Sequence, residues 1–402
     1  MVMGFDKLFF ISVIILFFLL TYKIVDKVIE FKNSKNISIT EILFLCAFCL
    51  FLFIPTLYIT DAKESKSEHR TLAKWENFIT ADKRINYKFG KNFDNWFNDR
   101  FFLRENLLRF YYNLKLALNY KFVLYDNVSY NKKAKMLFYN YFKKDYIYKP
   151  EEIAASLNRF YSFCDKNNIV CRVVIVPQKD ILYEDDCLLY KNNINRKLLK
   201  DLLSISHKKY GIDIMYPIDD LEQMIDDDEY VHYKTDNHIT DSAVYLIYEK
   251  IIKDLKKDLP LLSVVPKKKF EKFKDKDIRY DYNREFTKGI ESRMSFLDEE
   301  KLGLKVKYRY YDYIFPAKSV IKAKKAYSYF KNPDGKYKLF LVGGSYTESM
   351  SYIIASSFNE VHKYRLPDFK KLRKTILKEK PDAVVVYMSS VYINKLKNFK
   401  GW

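Results

Sequence analysis

The chain has 402 residues, of which 49% are hydrophobic, and it contains only 9 Gly and 10 Pro. This composition excludes a wholly disordered chain, a collagen-like repeat and a low-complexity polymer, and the length allows about two globular units. The formal net charge is +20, but no zinc-finger spacing, basic zipper or RNP-like aromatic string accompanies the Lys excess. The sequence therefore indicates no nucleic-acid binding and leaves an anionic polymer or a lipid surface open as a neighbour.

Two apolar segments lie near the N-terminus, at about residues 8–25 and 42–59, and each approaches the length that spans a bilayer. A cleaved signal peptide is disfavoured because no small-residue cleavage site follows the first segment. Buried core helices are disfavoured because neither segment has a polar face. The sequence therefore predicts that residues 1–60 form a membrane anchor of two transmembrane helices. Lys residues between the two segments favour a cytoplasmic loop with both termini outside, whereas basic residues after the second segment favour the opposite orientation. The positive-inside rule therefore leaves the orientation open.

The remainder of the chain divides into two predicted regions. Residues 61–120 read as a charged juxtamembrane linker and a helical region, in which apolar residues of 88–120 recur at helical spacing and predict a core face. Residues 121–402 alternate β-branched strands with amphipathic helices, which indicates an α/β sandwich around a mostly parallel sheet. A charge-rich stretch at about 259–335 reads as an insert. The predicted strands cover 169–176, 211–215, 338–343 and 382–387, and the predicted helices cover 150–166, 195–208 and 242–257.

A first motif with chemical potential is the segment Tyr233–Thr240, directly before a predicted helix. Asp236 stands two residues before His238, a spacing that allows the carboxylate to reach the imidazole. Such a carboxylate fixes the tautomer of the His and stabilises the imidazolium that forms when the His acts as a base. A purely structural alternative is that Asp236 or Thr240 caps the helix and that the His is incidental.

A second motif is the segment Leu341–Tyr346, in which a buried strand ends at Gly343 and Gly344 and is followed by Ser345. A Ser at such a turn lies at the carboxyl edge of the sheet, where the following backbone amides can hold an oxyanion. The alternative is an ordinary strand-to-helix turn. Ser, His and Asp together satisfy the requirement of acyl transfer, because a Ser hydroxyl is a weak nucleophile until a positioned base takes its proton.

The chain resembles the SGNH-type polysaccharide O-acetyltransferases of the alginate-acetylation (AlgJ/AlgX and DHHW-protein) family. Tyr233–Thr240 resembles the Asp-x-His-Trp motif of that family, and Leu341–Tyr346 resembles its Gly-Asp/Thr-Ser-Phe/Tyr block. The order, with Asp-x-His before Ser, is also that of the family. Shorter segments that resemble other family motifs are residues 69–73, 98–104 and 176–179, together with Tyr183.

The resemblance implies an SGNH-like three-layer sandwich in which Ser345 is the nucleophile, His238 is the general base and acid, and Asp236 orients the His. It also implies an oxyanion hole to which the Ser345 amide contributes, at the turn formed with Gly343 and Gly344. Neither a metal nor a cofactor is expected.

The same resemblance makes Lys179 and Tyr346 candidate substrate-binding residues. Three positions depart from the family pattern and put acceptor recognition in question. Ile239 stands where the family has Trp, Gly344 replaces the common Asp or Thr, and residues 388–391 lack a Glu-Arg pair.

The function implied is that of a membrane-anchored O-acyltransferase of polysaccharide or exopolysaccharide biosynthesis. It would move an acetyl group through a Ser acyl-enzyme to hydroxyls of a cell-surface or exported polysaccharide. The expected partners are the polysaccharide acceptor and a multi-spanning membrane O-acyltransferase that supplies acetyl groups. The expected location is the cytoplasmic (inner) membrane, with the soluble domain on the periplasmic side. An acetyl esterase of the same fold and a non-catalytic polysaccharide-binding or scaffold partner stay open as alternatives.

Overall fold

The computed structural model describes most of the chain after residue 58, and the greater part of the two predicted membrane helices, about 8–25 and 42–59, lies outside the described residues. In the described part no helix is long and apolar enough to cross a membrane. The chain divides into a smaller unit, Met1–Leu114 with Glu291–Leu297, and a larger unit, Lys115–Ile290 with Asp298–Trp402. The described residues are 23, 26, 41, 43–48, 59–65, 70–101, 103–117, 122–125, 128–131, 134–139, 148–183, 193–270, 276–277, 307–308, 313, 315–324 and 326–402.

The helical region predicted near residues 88–120 forms two helices, α1 (Phe89–Asn98) and α2 (Arg104–Ala117). The break falls at Leu103, whose backbone adopts a left-handed conformation with φ 61° that a right-handed helix does not accommodate. None of the α1 side chains is buried, so the predicted core face was wrong for this helix. The rings of Phe89, Phe93 and Trp96 instead form a half-exposed aromatic cluster with Trp75, which packs edge-on against all three. A short hairpin of β1 (Glu64–Ser65) and β2 (Arg70–Thr71) precedes the two helices.

The larger unit is built on a six-stranded sheet. Its strands are β6 (Val170–Val176), β9 (Val320–Ala323), β10 (Tyr327–Lys331), β11 (Lys336–Gly343), β12 (Phe358–Arg365) and β13 (Ala383–Ser389). Their order in the sheet is β6-β13-β11-β12-β10-β9. The first four strands in this order pair in parallel, whereas β10 pairs antiparallel with both β12 and β9, so the prediction of a mostly parallel sheet is confirmed. Both β10 and β9 lie in the stretch that reads as a charged insert.

Side chains of successive strand residues alternate between the two faces of the sheet. Leu339 and Leu341 of β11 belong to one hydrophobic cluster, and Phe340 and Val342 belong to the other. Helices cover both faces, and this gives the three layers of an α/β sandwich. The helices of the larger unit are α3 (Pro150–Lys166), α4 (Lys179–Leu182), α5 (Asn193–Tyr210), α6 (Ile218–Asp226), α7 (Asp241–Leu255), α8 (Thr347–Ile354) and α9 (Phe369–Glu379).

Smaller elements complete the larger unit. A three-stranded antiparallel sheet consists of β3 (Phe122–Tyr125), β4 (Val128–Asn131) and β5 (Met136–Tyr139), and a two-stranded one of β7 (Lys276–Asp277) and β8 (Lys307–Tyr308). The stretch 211–215, which reads as a strand, makes an isolated parallel bridge between Met215 and Val174. The segments Lys267–Phe270 and Ser390–Gly401 are 3₁₀-helical.

The end of β11 needs a glycine for lack of space rather than for an unusual backbone angle. Gly343 pairs with Arg365 of β12 on one side and with Tyr387 of β13 on the other. A Cβ atom at this position would overlap the carbonyl oxygen of Tyr387 and would approach Thr347 Cγ2 to 2.9 Å. The missing side chain therefore lets three parallel strands stay in register up to the point where the chain leaves the sheet.

We expect Gly343→Ala to lower the free energy of unfolding by about 1–3 kcal/mol, because the added methyl group must push two central strands apart. Chemical denaturation followed by circular dichroism measures the change. Gly401→Ala is the matched control, since a Cβ at Gly401 meets no atom within 4 Å. Equal stability of the two variants would contradict this account.

Candidate active site

Ser345 lies at the carboxyl edge of the sheet, in the three-residue gap between Gly343, the last residue of β11, and Thr347, the first residue of α8. The side chain is 4% exposed. The backbone N–H groups of Ser345 and Tyr346 make no hydrogen bond to another described residue, because they precede the first turn of α8. Two unpaired N–H groups at a helix N-terminus can stabilise a negatively charged oxygen next to the Ser hydroxyl.

Asp236 and His238 lie in a tight loop that leads into α7. The loop is closed by hydrogen bonds from Thr240 N to Val231 O at 2.8 Å and from Tyr233 N to His238 O at 3.2 Å. Thr240 is the N-cap of α7, and its side-chain oxygen accepts from Ala243 N at 3.4 Å. The capping role that the sequence left as an alternative is therefore filled by Thr240, and the Asp236 carboxylate is directed elsewhere.

The structure brings Ser345, His238 and Asp236 into one hydrogen-bonded chain. His238 Nε2 lies 2.9 Å from Ser345 Oγ, and His238 Nδ1 lies 2.8 Å from Asp236 Oδ1. The same Asp236 oxygen accepts from the backbone N–H of His238 at 3.0 Å. Because the Asp holds the proton on Nδ1, the Nε2 atom is left to accept the proton of the Ser hydroxyl.

Asp236 is ionised in this environment. Burial raises the pKa of its carboxyl, but the charge of His238 and the hydrogen bonds from His238 and from the Asn237 backbone oppose burial and leave the pKa lowered. A buried carboxylate next to an imidazole stabilises the imidazolium that forms when the His takes a proton.

Two contacts hold the nucleophile turn against the rest of the site. The hydroxyl of Tyr346 donates to the backbone oxygen of Asn237 and so joins the nucleophile turn to the Asp-His loop. On α8, the Glu348 carboxylate accepts from the fully buried Lys363 of β12 at 2.6 Å. The helix that follows Ser345 is therefore tied to the sheet by a partly buried ion pair.

Lys179, the first residue of α4 after the end of β6, is 2% exposed. Its ammonium donates to the backbone oxygens of Tyr233 at 2.7 Å, Lys234 at 3.0 Å and Asp236 at 3.2 Å. The ring of Phe138 lies 5.4 Å from the same nitrogen. Burial lowers the pKa of the ammonium to about 7, and the charge of Asp236 acts in the opposite direction.

A small cleft lined by His238 and Ser345 opens at the site, and its volume of about 20 Å³ leaves room for a water-sized group. A second cavity of about 10 Å³ shares Gln178 and Val391 with it. The Gln178 side chain makes no hydrogen bond within the described part of the chain, so its amide is available to a molecule in either cavity. The residues lining the catalytic cleft are Gln178, Lys179, Asp180, Asn237, His238, Ser345, Tyr346, Ser389, Val391 and Tyr392.

The three departures from the family pattern have structural counterparts. Ile239 is 2% exposed and packs in the hydrophobic core, so this position is apolar and buried. Gly344 faces the ring of Tyr392, whose Cδ2 atom lies 2.8 Å from where a Cβ would be. Ser389 and Val391 of the stretch 388–391 line the cleft.

Two residues near the site carry no signal in the sequence. Tyr392 follows β13 with no recognisable motif, yet its ring covers the nucleophile turn. His232 is fully buried, and neither of its ring nitrogens has a hydrogen-bond partner among the described residues. Burial lowers the pKa of His232 well below the usual value. The spacing of residues in the sequence reveals neither Tyr392 nor His232, because both make their contacts only in the folded chain. No group of three or more potential metal-ligating side chains occurs among the residues that the structure describes.

No family model matches this sequence, and no curated protein matches it either. Solved structures do match. PatB1 from Bacillus cereus, in a structure with a sulfonyl adduct, is 12% identical, with 66% of this chain and 97% of that chain covered and a TM-score of 0.50. The chain shares the fold of PatB1.

Two further solved structures are similar to this chain at lower TM-scores. A DHHW family protein from Eubacterium siraeum is 13% identical, with 63% of this chain and 88% of that chain covered and a TM-score of 0.43. The O-acetyltransferase domain of Pseudomonas putida AlgJ is 13% identical, with 68% of this chain and 99% of that chain covered and a TM-score of 0.42. At these identities the comparisons show a likeness of fold, which is carried by PatB1, and the predicted resemblance is confirmed to that extent.

We expect Asp236→Asn to slow the reaction of Ser345 with a sulfonyl fluoride by about 10³–10⁴-fold, because an amide favours the wrong His tautomer. Intact-mass spectrometry over time measures the rate of adduct formation. Asp220→Asn is the control, since Asp220 pairs with Lys250 and does not line the cleft. Equal rates for both variants would exclude Asp236 from the activation of Ser345.

The lowered pKa of Asp236 predicts that the difference in stability between the wild type and Asp236→Asn depends on pH. The folded-state pKa of Asp236 lies below the unfolded value of about 3.9, so ionised Asp236 stabilises the fold above that pH, and this contribution is lost as the pH falls through the folded-state pKa. At pH 7 we expect Asp236→Asn to lower the free energy of unfolding by roughly 1–3 kcal/mol. Urea denaturation of both proteins at several pH values measures the difference. A difference that stays constant down to pH 3 would contradict the prediction.

Proposed function

We propose that the chain is an O-acetyltransferase that moves an acetyl group through an ester on Ser345 to a hydroxyl of a polysaccharide. The observation that carries the proposal is the hydrogen-bonded chain from Asp236 through His238 to Ser345, next to two unpaired backbone N–H groups. The fold shared with PatB1 and the ordered motifs of the polysaccharide O-acetyltransferase family support it.

In the first half-reaction, Ser345 Oγ attacks the carbonyl carbon of an acetyl ester while His238 Nε2 takes the hydroxyl proton. The carbonyl oxygen becomes an oxyanion that the N–H groups of Ser345 and Tyr346 stabilise. When the tetrahedral intermediate collapses, the bond from the acetyl carbon to the oxygen of the leaving group breaks. His238 gives its proton to that oxygen, and the acetyl group remains on Ser345.

In the second half-reaction, a sugar hydroxyl gives its proton to His238 and attacks the acetyl carbon. The bond to Ser345 Oγ breaks, and Oγ regains the proton from His238. A hydroxyl in the cleft must displace water for transfer to exceed hydrolysis. Gln178 and Val391 line the cleft beside His238 and Ser345, so an acceptor that enters the cleft would meet these side chains.

The proposal includes a location, and it rests on sequence features. The apolar segments at about 8–25 and 42–59 would tether the domain to the cytoplasmic membrane, with the larger unit on the periplasmic side. Because the family that the motifs resemble works outside that membrane, a multi-spanning membrane O-acyltransferase would deliver acetyl groups to Ser345. Radiolabelled acetyl reaching the glycan in cells only when both proteins are present would test this arrangement.

Incubation with 4-nitrophenyl acetate tests the chemistry. We expect the intact mass of the wild type to rise by one acetyl group and that of Ser345→Ala to stay unchanged, because only the wild type has the nucleophile. Ser349→Ala is the matched control, since Ser349 lies on α8 and its hydroxyl donates to Tyr346 O rather than to His238. A folded wild type that forms no adduct would exclude acyl transfer.

Added polysaccharide then separates transferase from esterase. A transferase diverts the acetyl group from water, so acetylated glycan accumulates and acetate release falls. An acetyl esterase releases acetate at the same rate with or without glycan. Saccharide binding by a protein that never forms the acyl-enzyme would favour the non-catalytic binding role.

A further inference from the structure

The ammonium of Lys179 has no donor left for a substrate. A protonated Lys carries three N–H donors and no acceptor. In this structure three backbone oxygens, those of Tyr233, Lys234 and Asp236, accept from Lys179 Nζ at 2.7, 3.0 and 3.2 Å. A buried Lys with all three donors engaged is unsuited to the substrate-binding role that the family resemblance suggests.

The three oxygens belong to the loop that carries the catalytic carboxylate. Residues 233–236 lie outside any helix or sheet ladder, and apart from a turn bond from Asp236 N to Tyr233 O at 3.3 Å their buried carbonyls accept from donors elsewhere in the chain. Lys179 supplies these partners from the end of β6, 54 to 57 residues away in sequence. The contact therefore fixes the Asp-His loop to the edge of the sheet that also presents Ser345.

A second contact acts on the same loop from another side. The backbone N–H of Leu137 on β5 donates to Lys234 O at 2.8 Å, and the neighbouring Phe138 packs its ring 5.4 Å from Lys179 Nζ. The apolar ring excludes water from one side of the ammonium, which makes its hydrogen bonds harder to replace. Loss of the ammonium would remove one hydrogen bond from each of the three carbonyls, and the Asp236 carbonyl would lose most, because Tyr233 O also accepts from Asp236 N and Lys234 O also accepts from Leu137 N.

We propose that Lys179 is a positioning residue that sets the distance between His238 and Ser345 by holding the backbone of the Asp236 loop. The inference rests on the proposed acyl transfer and assigns Lys179 a part in it. A positioning role requires that loss of Lys179 slows acylation even by a small ester that carries no glycan. A substrate-binding role requires the opposite, that acylation is unchanged and that transfer to the glycan suffers.

The experiment is a stopped-flow measurement of nitrophenolate release from 4-nitrophenyl acetate by the full chain. We expect Lys179→Met to slow acylation of Ser345 by about 10²-fold, the loss that a displacement of about 1 Å produces, with little change in the ester concentration for half-saturation. Lys179→Arg, which keeps charge and donors, should recover part of the rate. Lys250→Met is the control, because it removes an ammonium that pairs with Asp220 outside the cleft.

Chemical rescue keeps the test valid where Lys179→Met folds poorly. In Lys179→Ala, propylammonium chloride reproduces the missing atoms and should raise the acylation rate at least tenfold, whereas 1-propanol and sodium chloride should not. The double variant with Ser345→Ala corrects for direct aminolysis. Wild-type acylation rates in Lys179→Met, or rescue by 1-propanol equal to that by propylammonium, would overturn the positioning role. A wild type without acylation would overturn the proposed function itself.

Discussion

The chemistry available to the larger unit depends on one hydrogen bond, between Ser345 Oγ and His238 Nε2. The two residues are 107 positions apart in sequence and 2.9 Å apart in space. Proton transfer needs a heavy-atom separation of about 2.6–3.2 Å, so the fold must hold two separate turns to within a fraction of an ångström. The contacts around the site can be understood as the means by which each turn is held.

The parallel sheet holds the nucleophile. Gly343 lets β11 stay close to both neighbouring strands until the chain turns out at Ser345, and the partly buried pair of Lys363 and Glu348 ties the following helix back to β12. The catalytic base, His238, is held by the start of α7, where Thr240 is the N-cap, and Lys179 fixes the loop that precedes this cap. The Tyr346 hydroxyl then links the two halves by its bond to Asn237.

Sequence patterns predicted the elements whose burial is complete and failed where burial is partial. The strands at 169–176, 338–343 and 382–387 were found because continuous apolar runs are typical of parallel strands covered on both faces. Strands β9 and β10 were missed because they pair antiparallel and are only partly buried, and every residue of the edge strand β9 is exposed. The helix predicted over 88–120 is broken at Leu103, since apolar spacing contains no signal for a left-handed residue.

The sequence by itself determined which chemical groups the protein has and in which order they occur. Asp236, His238 and Ser345 stand beside recognisable turns, because local spacing and the glycine requirement of a turn are properties of neighbouring residues. Tertiary structure alone decided the distances between these groups and the engagement of Lys179 by three carbonyls of the Asp-His loop. The physical reason is that hydrogen bonds across 54 or 107 residues form only when helices and strands pack, and packing depends on the whole core rather than on any one segment.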